Sequence, residues 1–575
     1  MQEFAFGTLS TPEKRTEYVK ERRRGVRHLH RMQPRAPKAG DQPVVLATTA
    51  LDETVTAVTC HILEPEPHAI SLHAISLTVV DTTWDVFNWK YLQTWQAQLP
   101  AFADGTLVRY KIAATTFHGK TIWADDETTF AYLVGEAVEP EWAREAVVYQ
   151  IFPDRFYPGN GRDWNPVTSL SDIYGGTIRG IIEKLDWISD LGINAIWLNP
   201  FFPDDSHHGY HATDYFSVNP RMGTMNDIRE LVDKAHARDI RMILDFVANH
   251  WGSKHPTFQA AQKDKHSDYY HWYNWIDWPH DYKTFFGVMD LPQINVDYPA
   301  ARDHLFESVR FWLENVGFDG LRLDHALGPS HDFWTALRQL VKGINPDIWI
   351  FGEVVETPAT LLTYEGRMDG CLDFVLMQAL RDTFAMGRMN VTAFDAFLNQ
   401  HEQFIPRTFS LPTFLDNHDT NRFLWLAGND KRKLKLAALC QFTLRGAPII
   451  YNGTEVGVTQ AQGMWEPDSE GMEECRRPMP WGEEDEELLA YYKWLIRFRR
   501  EHPVLWQGNR RTVHVDGEAG TYAYVVENGR NVILAAFNLS NEPHTLSVDD
   551  SASGICHTFT LSPWGGDLFV KGESL

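Results

Sequence analysis

The spacing of apolar and polar residues changes character along the chain, and each change marks a different kind of element. Between about Gln42 and Leu133 apolar residues recur at every second position. In Leu107 to Ile112, for example, Val108, Tyr110 and Ile112 share one face while Arg109 and Lys111 share the other. Asp104-Gly105 ahead of this run is a hairpin turn signal. Residues 31–137 are therefore predicted to form an N-terminal β-sandwich of about a hundred residues. Residues 1–30 read as a charged segment with a helix within 12–30, and the basic cluster Arg22 to Arg24 reads as a solvated face.

From about Trp142 to Glu501 short apolar runs alternate with amphipathic stretches, the grammar of βα units around a parallel sheet. Ile178, Ile181, Ile182, Leu185, Ile188 and Leu191 recur at helical spacing, Gly192 stops the helix, and Ala195 to Leu198 supply the next strand. Strand candidates fall at Val147–Phe152, Ala195–Leu198, Met242–Val247, Phe318–Asp324, Trp349–Glu353, Gly370–Leu376, Pro412–Asp416 and Pro448–Tyr451. Eight such strands close a barrel. The predicted fold class is α/β: a (β/α)₈ TIM barrel over residues 138–503, with an inserted subdomain at 250–299 after the third strand. That insertion is far longer than an ordinary βα connection. After Val504 strand patterns return around the Asn528-Gly529 turn, with Tyr522–Val526 and Val532–Phe537 on either side. Residues 504–575 are predicted to be a C-terminal β-sandwich.

Composition narrows the function classes. The formal net charge of −24 repels polyphosphates and argues against nucleic acid as a partner. No apolar run approaches a membrane span, and the N-terminal stretch lacks the apolar core of a signal peptide. The five Cys are scattered, without a CxxC pair, which points to neither a disulfide framework nor a zinc ribbon. The expected compartment is the cytoplasm. Aromatic residues make up 13% of the chain, and such rings either fill cores or stack on sugars. Trp84, Phe87, Trp89, Tyr91 and Trp95 pose that choice within the sandwich, where core is the expected use for most, with a carbohydrate platform or a partner subunit as alternatives.

Candidate chemistry lies at the C-terminal strand ends, which converge on one face of such a barrel. The third strand ends in Asp245-Phe246-Val247-Ala248-Asn249-His250, the fourth in Gly320-Leu321-Arg322-Leu323-Asp324, the fifth in Phe351-Gly352-Glu353, and the seventh in Asp416-Asn417-His418-Asp419. A single acid is usually a surface or capping group; acids at four strand ends are a site. Arg322 and Asp324, two apart on a strand, point to the same inward face. Glycosidic cleavage needs a carboxylate at the anomeric carbon and a carboxylic acid at the leaving oxygen, and Asp324 and Glu353 supply both. A separation of about 5–5.5 Å between them would give retention, and the short gap is expected. Arg322 is expected to hold Asp324 ionised while the Asp324 charge raises Glu353.

These blocks resemble the α-amylase family of glycoside hydrolases, over four ordered motifs and nearly the whole chain. The resemblance implies Asp324 as nucleophile, Glu353 as general acid/base, and Asp419 as the acid that grips sugar hydroxyls and stabilises the transition state. By the same resemblance Arg322 orients the nucleophile, His250 and His418 bind the sugar at the cleavage subsite, and Tyr210 stacks on it. His207, His208 and His211 are then loop residues of the cleft, not a zinc site.

The chemistry needs no cofactor, and the family makes Asn249 a candidate ligand for a structural calcium, weighed equally against a structural hydrogen bond. The second calcium loop of related enzymes is replaced here by the short PGNGRDWN and YGGT stretches. The sandwich ahead of the barrel and Leu291-Pro292-Gln293-Ile294-Asn295 look most like the neopullulanase, cyclomaltodextrinase and maltogenic amylase branch, with Gln293 in place of the usual Lys. In that branch the added domain often builds a homodimer.

The expected substrates are α-1,4-linked maltooligosaccharides, cyclomaltodextrins or related α-glucans. The segments His325 to Gly328 and Val354 to Glu356 depart from the family on the acceptor side. A 4-α-glucanotransferase or other transglycosylase using the same intermediate is therefore the alternative. A non-catalytic glucan-binding barrel is disfavoured by the intact acids, and no Gly-rich phosphate loop stands in a persuasive context.

Overall fold

The computed structural model describes residues 11–63 and 73–572; the first ten residues of the predicted charged segment lie outside them. At its centre eight parallel strands run side by side: Val148–Ile151, Ala195–Leu198, Arg241–Phe246, Gly320–Leu323, Trp349–Gly352, Gly370–Cys371, Thr413–Phe414 and Pro448–Tyr451. The first strand pairs with the eighth, and the ring closes between the sixth and seventh. There Cys371 N donates to Ser410 O at 3.0 Å and Asp373 N to Pro412 O at 3.0 Å. All eight strand positions match the sequence pattern, because each is an apolar run buried on both sides.

The sixth strand is the exception in extent. Gly370–Leu376 was expected to be extended throughout, yet the strand ends at Cys371 and Phe374–Leu380 is helical. The reason is local: the Asp373 side chain accepts from Leu376 N at 2.9 Å, an N-cap that starts the helix directly after the strand.

The helix predicted from Ile178 to Leu191 is there, with its apolar positions buried, but divided at Lys184 into Ile178–Glu183 and Leu185–Leu191. Thr177 caps the first part, and Gly192 ends the second at φ 98°, a left-handed conformation that favours glycine. Helix Met225–His236 shows the same logic: a Thr224/Asp227 capping box opens it, and Ile228, Leu231, Val232 and Ala235 face the sheet.

The long connection after the third strand folds as an insert. It holds helix Pro256–Lys263 and the small hairpin Trp275–Asp277 with Asp281–Tyr282, packed through Phe258, Tyr273, Trp275 and Tyr282. A bridge between His250 and Gln293 ties its end back to the strand it left.

The N-terminal domain is a nine-stranded antiparallel arrangement in which one long strand, His73–Asp85, serves both layers. Its first half pairs with Val55–Leu63 and its second with Lys90–Gln98. Val108, Tyr110 and Ile112 are buried as expected. The charged segment contributes helix Pro12–Glu21, but Gly25–Arg27 is already a strand of this sheet, paired with Thr48 to Ala50. The aromatic stretch departs from expectation: Trp95 is core, whereas Trp84, Phe87, Trp89 and Tyr91 are exposed, Trp89 to 77% and Tyr91 to 68%. The hairpin that carries them runs past the edge of the core.

This domain docks on the barrel through Arg109, whose Nε donates to Asp332 at 2.6 Å, and through His30 stacked on His331 with ring centroids 3.6 Å apart. The C-terminal domain pairs Asn509–Asp516, Thr521–Asn528, Asn531–Asn538 and Gly565–Val570 against the two-stranded layer His544–Asp550 and Ile555–Leu561. Val525, Leu534, Leu546 and Phe559 fill the space between the two layers. All five Cys are free thiols, four of them buried. Among the described residues no helix is long and apolar enough to cross a membrane.

Candidate active site

Parallel strands in register deliver the functional side chains to one end of the barrel. Asp245 sits opposite Arg322, and Arg322 opposite Phe351, on three neighbouring strands. Asp324 and Glu353 follow directly on the fourth and fifth strands, held by Asp324 N to Phe246 O at 3.0 Å and Glu353 N to Leu323 O at 2.9 Å. His418 and Asp419 follow the seventh strand, so the three predicted catalytic acids share one mouth.

Arg322 is the hub and is completely buried. Its Nη1 donates to Asp324 Oδ1 at 2.7 Å and to Asp245 Oδ1 at 2.8 Å. Its Nη2 lies 3.0 Å from Glu353 Oε2, in ion-pair contact without hydrogen-bond alignment. Behind it, the guanidinium packs over the Trp197 ring, 5.0 Å from the centroid. Glu353 Oε2 also accepts the backbone N–H of His325 at 3.0 Å. His325 sits at φ 38°, in the left-handed region, which turns that N–H from the nucleophile's strand toward the neighbouring acid.

Asp419 is held from two sides, by His418 Nε2 at 3.0 Å and Arg476 Nη2 at 2.8 Å. Tyr210 stacks on His418 with centroids 5.4 Å apart and planes 5° from parallel, and its hydroxyl bonds His418 Nε2 at 2.7 Å. The same hydroxyl donates to Asp245 Oδ2 at 2.9 Å, which joins the Asp419 side to the Arg322 hub. The side chains of Asp324, Glu353 and Asp419 are 9%, 14% and 30% exposed, an order that makes Asp419 the most open to an incoming ring.

Burial, with the Glu353 and Asp245 charges behind it, pushes Asp324 well above the usual carboxylate range against the pull of Arg322. Burial also raises Glu353, helped by Asp419 and Asp245 and opposed by Arg322. Asp419 falls below its usual range: burial works upward, but His418, Arg476 and Arg322 outweigh it. The expectation that Arg322 lowers Asp324 while the Asp324 charge raises Glu353 is met in part. Glu353 is raised and Arg322 does pull Asp324 down, but burial outweighs that pull, because one guanidinium serves three carboxylates. What separates the two acids is alignment. Asp324 takes a true hydrogen bond from Arg322, while Glu353 meets the guanidinium off line and accepts the His325 N–H instead.

His250 is buried, its pKa lowered to about 3 by that burial, with its ring against Phe285 at 4.6 Å. His418 likewise falls to about 3, chiefly through burial. Both imidazoles are thus neutral hydrogen-bonding groups at neutral pH. Asn249 Oδ1 accepts from Gln293 Nε2 at 3.0 Å, and its Nδ2 meets His250 Nδ1 at 3.0 Å. A calcium ion needs several oxygen ligands. Here the one side-chain oxygen already accepts a hydrogen bond, and no group of three or more His, Cys, Asp or Glu suited to a metal occurs among the described residues. The geometry shows Asn249 in a hydrogen-bonding role.

Six of the eight residues predicted for the site, Asp324, Glu353, Asp419, Arg322, His418 and Tyr210, are linked by these contacts through Asp245. His250 and Asn249 instead follow the third strand and contact Phe285 and Gln293. Sequence reasoning missed the support of this constellation. Arg476, from the loop after the eighth strand, binds both Asp419 and the His418 carbonyl, the latter at 2.8 Å. Gln150, within the first strand, bonds His418 Nδ1 at 2.7 Å, and Asn199 donates to Asp245 at 3.1 Å and to the Tyr210 hydroxyl at 2.7 Å. Gln150 was legible as the single polar residue in an apolar strand; Arg476 had no such signal. His207 bonds Glu473 at 2.7 Å, which in turn holds Arg476.

A (β/α)₈ barrel that gathers two arginine-bound carboxyls and a third acid at its mouth defines a glycosidase-type site. Residues 150–495 match the family model described as alpha amylase, catalytic domain. The chain belongs to the alpha-amylase family of glycoside hydrolases. It is 38% identical over 440 residues to Alpha-amylase 2 of Dictyoglomus thermophilum, covering 75% of this chain and 77% of that protein. It is 36% identical over 436 residues to Neopullulanase 2 of Thermoactinomyces vulgaris, covering 72% and 73%. A solved cyclomaltodextrinase structure matches with a TM-score of 0.68 at 28% identity, over 92% of this chain and 93% of that one.

Proposed function

We propose that the chain hydrolyses α-1,4-glucosidic bonds in maltooligosaccharides, cyclomaltodextrins or related α-glucans with retention of anomeric configuration. The observation that carries this is the shared guanidinium: Arg322 brings Asp324 and Glu353 to adjacent nitrogens of one group. Asp324 attacks the anomeric carbon while the Glu353 proton passes to the glycosidic oxygen, which breaks the bond and frees the leaving sugar. Glu353, now ionised, takes a proton from water, and the resulting hydroxide attacks the same carbon and releases Asp324. Asp419 binds sugar hydroxyls, with neutral His250 and His418 beside it and Tyr210 as the stacking face. No cofactor enters the reaction, and Asn249 positions His250.

The test uses maltotriose, γ-cyclodextrin and pullulan, with the first product anomer followed by proton NMR. Release of the α-anomer supports the proposal; release of the β-anomer, or no cleavage of any of the three, overturns it. A second reading, transfer to a sugar acceptor, draws on the apolar lip beside the nucleophile. Phe285 and Phe286 pack on His325 at 4.8 and 5.1 Å, and Phe286 remains 73% exposed. Products longer than maltotriose that dominate at low maltotriose concentration would establish transfer. We further propose the cytoplasm as its compartment, supported by the five free thiols. A homodimer through the N-terminal domain is the third proposal, supported by the exposed ring cluster Trp84, Trp89 and Tyr91.

A further inference from the structure

At the end of the barrel away from the mouth lies a cavity of about 430 Å³. Ser410 and Leu411 on its wall precede the seventh strand, Gly446 and Ala447 precede the eighth, and Glu139 and Arg144 precede the first. Helix Val391–Phe404, together with Trp506 and Gln507 of the short helix Val504–Gln507, which leads into the C-terminal sheet, forms the other side. A volume of this size falls within the range of about 300–1,000 Å³ typical of small-molecule sites.

The charged groups on its wall are not all paired with one another. Arg144 Nε pairs with Glu139 Oε1 at 3.1 Å, His401 Nε2 with Asp373 Oδ2 at 2.9 Å, and Glu402 Oε1 with Arg510 Nε at 2.9 Å. Those pairings occupy all three acids and leave two arginines. Arg407 donates only to neutral acceptors, among them Gln507 O at 2.9 Å and Gly508 O at 3.1 Å. The Arg445 guanidinium has no hydrogen-bond or ion-pair partner among the described residues. Burial, and after it the Arg407 charge, lowers Arg445 below the ordinary guanidinium value. The charges of Glu402, Glu139 and Asp373 reach Arg445, but each of those acids makes its close ion pair with another group. On the same wall Glu139 Oε2 is buried beside Ser410 without an aligned hydrogen bond.

We propose that this cavity binds a small hydroxylated anion, a sugar phosphate or a hydroxycarboxylate. Its anionic group sits on Arg445 beside Arg407, and a hydroxyl donates to Glu139 Oε2. An anion on a guanidinium forms the strong charge-assisted bonds that Arg445 lacks. The hydroxyl supplies the aligned donor that the buried carboxylate oxygen lacks. Leu376, Leu398, Ile405 and Trp506 give the carbon skeleton an apolar surface.

The experiment is calorimetric titration of the full chain at fixed ionic strength with glucose 6-phosphate and with gluconate, inorganic phosphate serving as control. The two hydroxylated probes distinguish a phosphate from a carboxylate head group. Saturable binding of either, tighter than that of inorganic phosphate, is expected. Arg445→Gln should weaken it about tenfold or more, the scale of one charge-assisted contact, while Arg445→Lys retains part of the affinity. Because Arg445 is remote from the mouth, cleavage of maltotriose by Arg445→Gln without the anion stays at the wild-type rate, which also shows that the variant is folded. The proposal is overturned if neither probe saturates, if inorganic phosphate binds as tightly as both, or if Arg445→Gln binds unchanged.

Discussion

The two ends of the barrel treat arginine in opposite ways. At the mouth one buried guanidinium, Arg322, is contacted by three carboxyl groups, Asp245, Asp324 and Glu353. At the base two guanidinium groups, Arg407 and Arg445, line a cavity whose acids are already paired elsewhere. The first arrangement has surplus negative charge, so it holds a proton and favours the positive character of an oxocarbenium-like transition state. In the second, two arginines stand outside the close ion pairs of the wall. An arginine therefore identifies a function only when its partners are counted.

Variants at the mouth should show the largest effects. Asp324→Asn and Glu353→Gln should each lower kcat on maltotriose by about 10³-fold or more, with circular dichroism and melting unchanged. A drop below about tenfold would break the reading of the mouth as a catalytic carboxyl site. Removing the hub instead of an acid should unfold as well as inactivate. Arg322→Gln leaves three buried carboxyls without their cation and should cost about 3–5 kcal/mol in denaturant unfolding. An unchanged unfolding midpoint would mean that the acids are solvated well enough without it.

Glu455 sharpens the comparison as a completely buried acid with no ion pair, bonded to the Tyr149 hydroxyl at 2.7 Å. Burial raises its pKa to about 7. The unfolded chain releases this proton at lower pH than the native state does, so stability falls as pH rises from about 4.5 to 7 and then levels off. The loss amounts to about 3 kcal/mol by linkage, and Glu455→Gln should flatten the melting temperature across that window. The smallest effect is expected at Arg476. Its charge helps to hold Asp419 below the usual range, so Arg476→Gln should raise Asp419. The acid limb of the kcat/KM profile should then move to higher pH, by about one pH unit. An unmoved limb would assign that limb to another group.

Much of this was visible in the sequence because the barrel repeats one pattern, and its chemistry falls at the end of each repeat. Asp324, Glu353 and Asp419 could be found by reading off strand ends, since register fixes where such residues point. Arg476 could not, because its position depends on how a long loop folds back over the seventh-strand end. The length of the sixth strand was missed for a smaller reason: Asp373 lies inside an apolar run whose spacing suits strand and helix alike, and a single cap decides between them. The aromatic hairpin shows a third limit. Tyr91 and Trp95 share a face by alternation, yet only Trp95 is buried. Periodicity gives the face of a strand but not where the opposing layer stops.

Asp332, gripped by Arg109 of the sandwich, lies in the opening turn of helix His331–Ile344. That helix also carries Trp334, whose indole N–H donates to the Ala326 carbonyl at 2.9 Å, two residues past the nucleophile. The sandwich is thus no detachable appendage: its grip passes through one short helix to the rim against which an acceptor would rest. Trimming the chain to its barrel would remove the Arg109 bond to the helix that supports this rim.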